Sequence, residues 1–143
     1  MVNLRKTKMK TIHANQPPPS RVLLLVEHDT AVRDSLVLML ELNEFDVVPT
    51  NSAISALRRV RRQKFDAVLM DCELHWNNGI DAIIDLKEHD AELPVIAISA
   101  NEEDKPLALA AGADWFVEKP IDPNEVLEAI DACTENVLSH HAS

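Results

Sequence analysis

The sequence predicts an α/β domain with a doubly wound, five-stranded parallel sheet and helices on both faces. Three observations carry this. The predicted strands are short, continuous apolar runs, such as VLLLV at Val22–Val26, which is how strands buried on both faces read. Such runs alternate with segments of helical period five times along the chain. Polar and charged residues follow the runs at Glu27, Asp71, Ser99 and Lys119, where the carboxyl edge of a parallel sheet would gather them.

Each element has its own signals. Residues 1 to 20 end in Gln16-Pro17-Pro18-Pro19-Ser20, a stiff extended run that joins neither a helix nor a central strand. The expected division is therefore a basic, proline-rich N-terminal tail at 1–20, the domain at 21–134, and a C-terminal tail at 135–143. After Val22–Val26, Asp29 or Thr30 can cap a helix with apolar positions Val32, Leu36, Met39 and Leu40. A short strand follows over Asp46–Pro49. Ile54, Leu57 and Val60 mark a second helix, with Arg58, Arg59, Arg61 and Arg62 on its outer side and far end.

The cycle then repeats. Phe65–Met70 reads as a buried strand ending at Asp71, and Asn77-Asn78-Gly79 is a turn leading to a helix lined by Ile80, Ile83, Ile84 and Leu86. Pro94–Ile98 is a fourth strand, ending at Ser99-Ala100. A short helix over 102–111 stops at Gly112, a left-handed cap. Trp115–Val117 is the fifth strand, followed by Glu118-Lys119-Pro120. The last helix opens at Asp122-Pro123 and carries Val126, Leu127 and Ile130.

Bulk properties narrow the function. A chain of 143 residues with 46% hydrophobic content suits one globular domain. With two Trp, three Phe and no Tyr, the core must be built from Leu, Val, Ile and Ala. Cys72 and Cys133 fit reduced thiols of a cytoplasmic protein rather than a disulfide scaffold. No apolar run is long enough to cross a bilayer, and no apolar signal-peptide block opens the chain. A formal charge of −10 argues against direct nucleic-acid binding. Residues 1–26 carry Arg5, Lys6, Lys8, Lys10 and Arg21 with no acid, and a solvated leader is the plainer reading of them. A nucleotide-binding α/β enzyme, the remote alternative, would need a glycine-rich loop where EHDTAVRD stands.

The chain resembles the response-regulator receiver domain of two-component signalling. The resemblance rests on VLLLVEHD, FDAVLMDCELHWNNGIDAI, LPVIAISA and AGADWFVEKPI and covers about residues 21 to 133. It implies the flavodoxin-like, receiver-type version of the fold. It implies that Asp71 accepts a phosphoryl group from a histidine kinase or phosphotransfer protein, and that Lys119 pairs with the acceptor and then with its phosphate. It makes Ser99 the hydroxyl that bonds a phosphoryl oxygen, and Phe116 the aromatic switch. Glu27, Asp71 and the backbone carbonyl of Glu73 become the ligands of Mg²⁺ or Mn²⁺, with no organic cofactor. Pro120 follows Lys119 as the family expects, through a cis bond. Any catalysis is limited to self-catalysed phosphotransfer and hydrolysis of the aspartyl phosphate.

The departures bear on the chemistry. The second residue of the acidic pair is His28, and a proline expected four residues after the acceptor is His75. The stretch from Ser99 to Lys119 is two residues shorter than the usual spacing. Attack by a carboxylate on a phosphoryl donor needs cations around the transferring group. Mg²⁺ wants oxygen ligands, whereas imidazole suits softer divalent ions, so His28 is expected to weaken Mg²⁺. With Mg²⁺ weakened, Lys119 becomes the main fixed positive charge, and a protonated His28 would be a second.

Two receiver readings follow: a phosphoacceptor that switches an interaction surface, or a receiver-like module that binds without efficient phosphorylation. Both imply a downstream effector protein. A homodimer through the last two strands and helices is the expected self-association, and the message surface is expected around Leu107, Trp115, Phe116 and Val126. Trp76, if exposed, is a contact candidate.

Overall fold

The structure is a computed structural model that describes residues 20–74 and 78–142. His75, Trp76 and the tail at 1–19 lie outside the described residues. Five strands form one parallel sheet: β1 (Val22–Val26), β2 (Asp46–Thr50), β3 (Ala67–Asp71), β4 (Val95–Ser99) and β5 (Trp115–Glu118). Between them run α1 (Thr30–Leu42), α2 (Ala53–Arg62), α3 (Gly79–His89) and α4 (Asp104–Ala111), with α5 (Pro123–Ala142) last. The sheet order is β2-β1-β3-β4-β5. The chain steps outward from β1 to β2, then returns past β1 to β3. The carboxyl ends of β1 and β3 therefore flank the switch point, where a crevice opens.

Alternation along the strands divides the core into two layers. Leu24, Val26, Val68, Met70, Val95 and Ala97 face α2, α3 and α4, while Leu23, Leu25, Ala67, Leu69, Ile96 and Ile98 face α1 and α5. Leu23, Leu24, Leu25 and Leu69 are wholly buried. Burial of each contributes about 2 kcal/mol relative to exposure. This layering makes the strands read as unbroken apolar runs, since neither face meets water.

Local chemistry sets the helix ends. Asp29 accepts from the Val32 N–H at 3.1 Å and caps α1, Ser52 caps α2 through the Ser55 N–H, and Asn78 caps α3 through the Ile80 N–H. Gly79 has to be glycine for reasons of space: a Cβ there would collide with the Asp71 carbonyl oxygen and the Cys72 Cα. Gly112 closes α4 with φ at 116°.

Several element boundaries differ from the sequence reading: β3 starts at Ala67 instead of Phe65, and β2, β4 and β5 each end one residue later than expected. α4 starts at Asp104 because the Asn101 side chain accepts from the Glu103 N–H and the Ser99 hydroxyl accepts from the Asn101 N–H, folding 101–103 into a turn. α5 continues to Ala142. The expected message surface also changes. Val126 is wholly buried under the sheet, and Trp115 and Phe116 are half-buried against opposite core layers. Of those four residues Leu107, 56% exposed, is the most open, and Trp115 and Phe116 keep part of their surface exposed.

Candidate functional site

Strand register assembles the site. Val26 pairs with Met70, so Glu27 and Asp71 stand level one step further on, and Asp71 in turn pairs with Ile98 beside Ser99. Ser99 pairs with Glu118, which brings Lys119 to the same edge. The Lys119–Pro120 bond is cis. Glu27, Asp71 and Ser99 are fully buried, an uncommon state for two carboxylates.

Asp71 is engaged on both oxygens. Its Oδ1 accepts from the Glu73 N–H at 2.9 Å. Its Oδ2 lies 3.1 Å from His28 Nδ1 and 3.5 Å from Lys119 Nζ. The His28 nitrogen also lies 3.6 Å from Glu27 Oε2, and that oxygen accepts from the Asp29 N–H at 3.1 Å. Lys119 Nζ is 3.1 Å from Glu27 Oε1, an ion pair by distance. The approach is off-angle for a hydrogen bond, so Oε1 is buried with charge nearby but no donor aimed at it.

The charges respond to this crowding. Burial, with the neighbouring Asp71 carboxyl adding to it, pushes Glu27 above the ordinary glutamate range, against the Asp29 N–H and Lys119. For Lys119, burial is the largest single influence and acts downward, yet Asp71 and Glu27 together outweigh it and hold the ammonium above the ordinary lysine value. Asp29, at the rim, is lowered by the Val32 N–H that it caps.

Ser99 is turned to a different partner. Its hydroxyl donates to Asp104 Oδ2 at 2.7 Å. Glu73 enters the site through its N–H, and its side chain reaches across to accept from the Ala100 N–H at 3.0 Å. A hydrogen-bonded path thus runs from Asp71 through Glu73 to Ala100 and, by way of Ser99, to Asp104 at the start of α4. Phe116 packs on the α2–α4 side of the core.

Three contributors escaped the sequence reading. The Glu73 carboxylate and Asp104 act across loops whose folding no local pattern specifies. Arg33 donates to the carbonyls of Glu27 and His28, at 2.9 and 3.4 Å, fixing the loop after β1. Its position six residues past Glu27, one turn into α1, was the available signal.

Glu27, His28 and Asp71 each offer a ligand atom, and these atoms lie within 4.8 Å of one another. Two carboxylates, one with an undonated buried oxygen, fit a divalent cation; the imidazole in place of a third oxygen ligand fits Mg²⁺ less well than a softer ion. A cation held there would supply positive charge to a transferring phosphoryl group.

A doubly wound domain with buried acids and a lysine at its switch point defines a receiver-type fold. The response regulator receiver domain model matches residues 23–131, and the chain belongs to that family. It is 30% identical over 122 residues to the phosphate regulon transcriptional regulatory protein PhoB of Escherichia coli K12, covering 82% of this chain and 53% of that protein. To the response regulator MprA of Mycobacterium leprae it is 31% identical over 112 residues, covering 77% of this chain and 49% of that one. The chain thus spans about half the length of these curated relatives.

Among solved structures it is similar to the receiver domain of a sensor histidine kinase from Pseudomonas aeruginosa PAO1, which has a magnesium ion coordinated in its active-site cleft. The TM-score is 0.77 at 27% identity, covering 82% of this chain and 99% of that one. A CheY-like receiver from Methanospirillum hungatei JF-1 matches the fold with a TM-score of 0.81 at 24% identity, over 85% of this chain and 99% of that one. Among the described residues, no helix is long and apolar enough to cross a membrane.

Proposed function

We propose that this chain is an atypical receiver that works by docking to partner proteins, with Asp71 a poor phosphoacceptor in Mg²⁺. The observation that carries the reading is His28 Nδ1 at 3.1 Å from Asp71 Oδ2. An imidazole stands beside the acceptor where a hard cation would need oxygen ligands. Phosphoryl transfer to a carboxylate depends on concentrated positive charge, and here the one ammonium is divided between two acids.

Within this reading Asp71 is the acceptor for a phosphoryl group from a sensor histidine kinase or phosphotransfer protein, and Lys119 its counter-charge. Ser99 would have to leave Asp104 to bond a phosphoryl oxygen, with Phe116 following its movement. Glu27, with the Glu73 carbonyl, completes the oxygen ligands. The output passes to a downstream effector protein.

The test is intact-mass analysis after incubation with acetyl phosphate in Mg²⁺, in Mn²⁺ and without metal, on the native chain, Asp71→Asn and His28→Asp. In Mg²⁺ the native chain should reach less than about one-tenth of the adduct formed by His28→Asp, because a third carboxylate restores the cation's ligands. Asp71→Asn should form none. A stoichiometric adduct on the native chain in Mg²⁺ overturns the reading.

A further inference from the structure

The outward faces of α2 and α3 carry opposite charge patterns that the fold itself leaves unmatched. On α2, Arg58 and Arg62 stand one turn apart at the centre of the exposed face, with Arg59 and Arg61 beside them and Lys64 just beyond. Ile54, 57% exposed, continues that face one turn earlier. Five of the chain's 14 basic residues fall in this seven-residue stretch, on a protein of charge −10. Among the described residues, none of the five forms a side-chain hydrogen bond or ion pair, whereas Arg21, Lys87 and Lys119 each hold an acid.

The end of the α2 dipole favours arginine in the last turn, but that accounts for only part of the cluster. Arg58 and Arg62, four apart and alike in charge, repel each other. A cleft of about 310 Å³ opens against Arg58, Arg59 and Arg62.

α3 presents the counterpart. Asp81, Asp85 and Glu88 are exposed at positions i, i+4 and i+7, with Ile84, 40% exposed, beside them. None of these three acids has a side-chain partner among the described residues. The buried residues of both helices, Ala56 and Val60 on α2 and Ala82, Ile83 and Leu86 on α3, enter the same core layer. The basic and acidic stripes therefore both point away from the sheet on one side of the molecule.

We propose that this face docks a second copy of the chain, α2 of each copy against α3 of the other, as a two-fold dimer. A two-fold contact requires one surface to hold both halves of a complementary pair, and adjacent basic and acidic stripes do so. The match extends to spacing. Arg58 and Arg62 are four residues apart, as are Asp81 and Asp85, so both pairs rise about 6 Å along their helices and meet in either relative direction. Guanidinium selects carboxylate by paired hydrogen bonds, and Ile54 and Ile84 supply apolar contact inside the charged ring.

A nucleic acid or an anionic membrane would satisfy the arginines alone and would be repelled by Asp81, Asp85 and Glu88. At about 0.15 M salt, where screening acts beyond roughly 8 Å, the repulsion between two acidic bodies fades while contact pairs persist.

The experiment is analytical ultracentrifugation of the full chain at that salt, with Arg58→Glu/Arg62→Glu, with Asp85→Arg/Glu88→Arg, and with an equimolar mixture of the two variants. The acid-side variant spares Asp81, whose charge favours the start of α3. Circular dichroism checks that both variants fold. The native chain should sediment as a dimer. Each variant alone should dissociate at least about 100-fold more readily, because like charges then face each other. The mixture should regain the dimer, since both of its seams are then complementary, one native and one charge-reversed. A native chain that stays monomeric, or binds anionic vesicles with the arginines instead of itself, overturns the proposal. So does a dimer that both variants retain, which would place self-association on another face.

Discussion

On the β1/β3 side of the sheet edge, two fully buried carboxylates face one ammonium and one half-exposed imidazole. On the β4 side, Ser99, Asp104, the Glu73 carboxylate and the Ala100 N–H close on one another in short hydrogen bonds. The first region holds two acids against one ammonium, and burial, with Asp71 adding to it, raises the pKa of Glu27. The second is satisfied within the protein. Charge imbalance leaves one half open to a cation or a proton, while hydrogen-bond closure makes the other a latch that holds Ser99 against Asp104. The two are joined by the path through Asp71 Oδ1 and Glu73, and by the Lys119 N–H donating to the Ser99 carbonyl at 2.9 Å.

The largest effect should come from removing the ammonium on the first side. Lys119→Met leaves Glu27 and Asp71 buried with His28 alone. The expected loss is about 3 kcal/mol in urea unfolding at pH 7.5, the cost of stranding buried charge. The pH dependence has a definite sign. Lys119 is raised in the folded state, so its contribution is complete below its unfolded pKa and lost only as pH rises through the folded value, in the alkaline range. Glu27 is raised too, so folding favours its protonated form, and that contribution is lost as pH rises through its folded pKa. The variant's deficit should therefore shrink as pH falls, since protonating Glu27 removes a buried charge that needs a cation. A deficit independent of pH would mean that Lys119 stabilises by packing its stem, not by charge.

Breaking the other side should cost less. Asp104→Ala removes the acceptor of the Ser99 hydroxyl and the acid in the first turn of α4. A hydrogen bond to a carboxylate contributes roughly 1.5–3 kcal/mol net, and Ser99 keeps the Asn101 N–H as a partner. A loss of about 1.5 kcal/mol is expected. Hydrogen exchange at the start of α4 should rise with it. An unchanged exchange pattern would show that the latch does not hold α4 in place.

The sequence made the first region legible and the second only in part. Glu27, Asp71, Ser99 and Lys119 each follow an apolar run, and a parallel sheet brings such positions to one edge whatever its strand order. The strand order depends on non-local pairing that no local pattern contains. The contact between His28 and Asp71 needed that pairing. The Ser99–Asp104 bond needed the turn at 101–103, which the helical period of the following residues concealed. On α2 and α3 the charge stripes were visible as residues, but their shared outward direction emerged only when both helices packed on one side of the sheet.

Cys72 lies between the two regions in sequence and senses both. Burial pushes its thiol up to about 12, and Asp104, Asp71 and Glu73 add to the rise in that order. A raised thiol contributes stability that is complete below its unfolded pKa, near 9.0, and lost as pH climbs through about 12. At pH 8 the folded protein should react with iodoacetamide at Cys72 at least about 100-fold more slowly than the unfolded chain, since the thiolate is the nucleophile. Asp104→Asn should lower the thiol pKa by less than burial raises it. Cys133, raised to about 11 by burial and by Asp114, has no Asp104 contribution and should not move. If the Asp104 substitution shifts the two thiols equally, the variant has loosened the whole domain, and the latch cannot be treated as separate from the acid pocket.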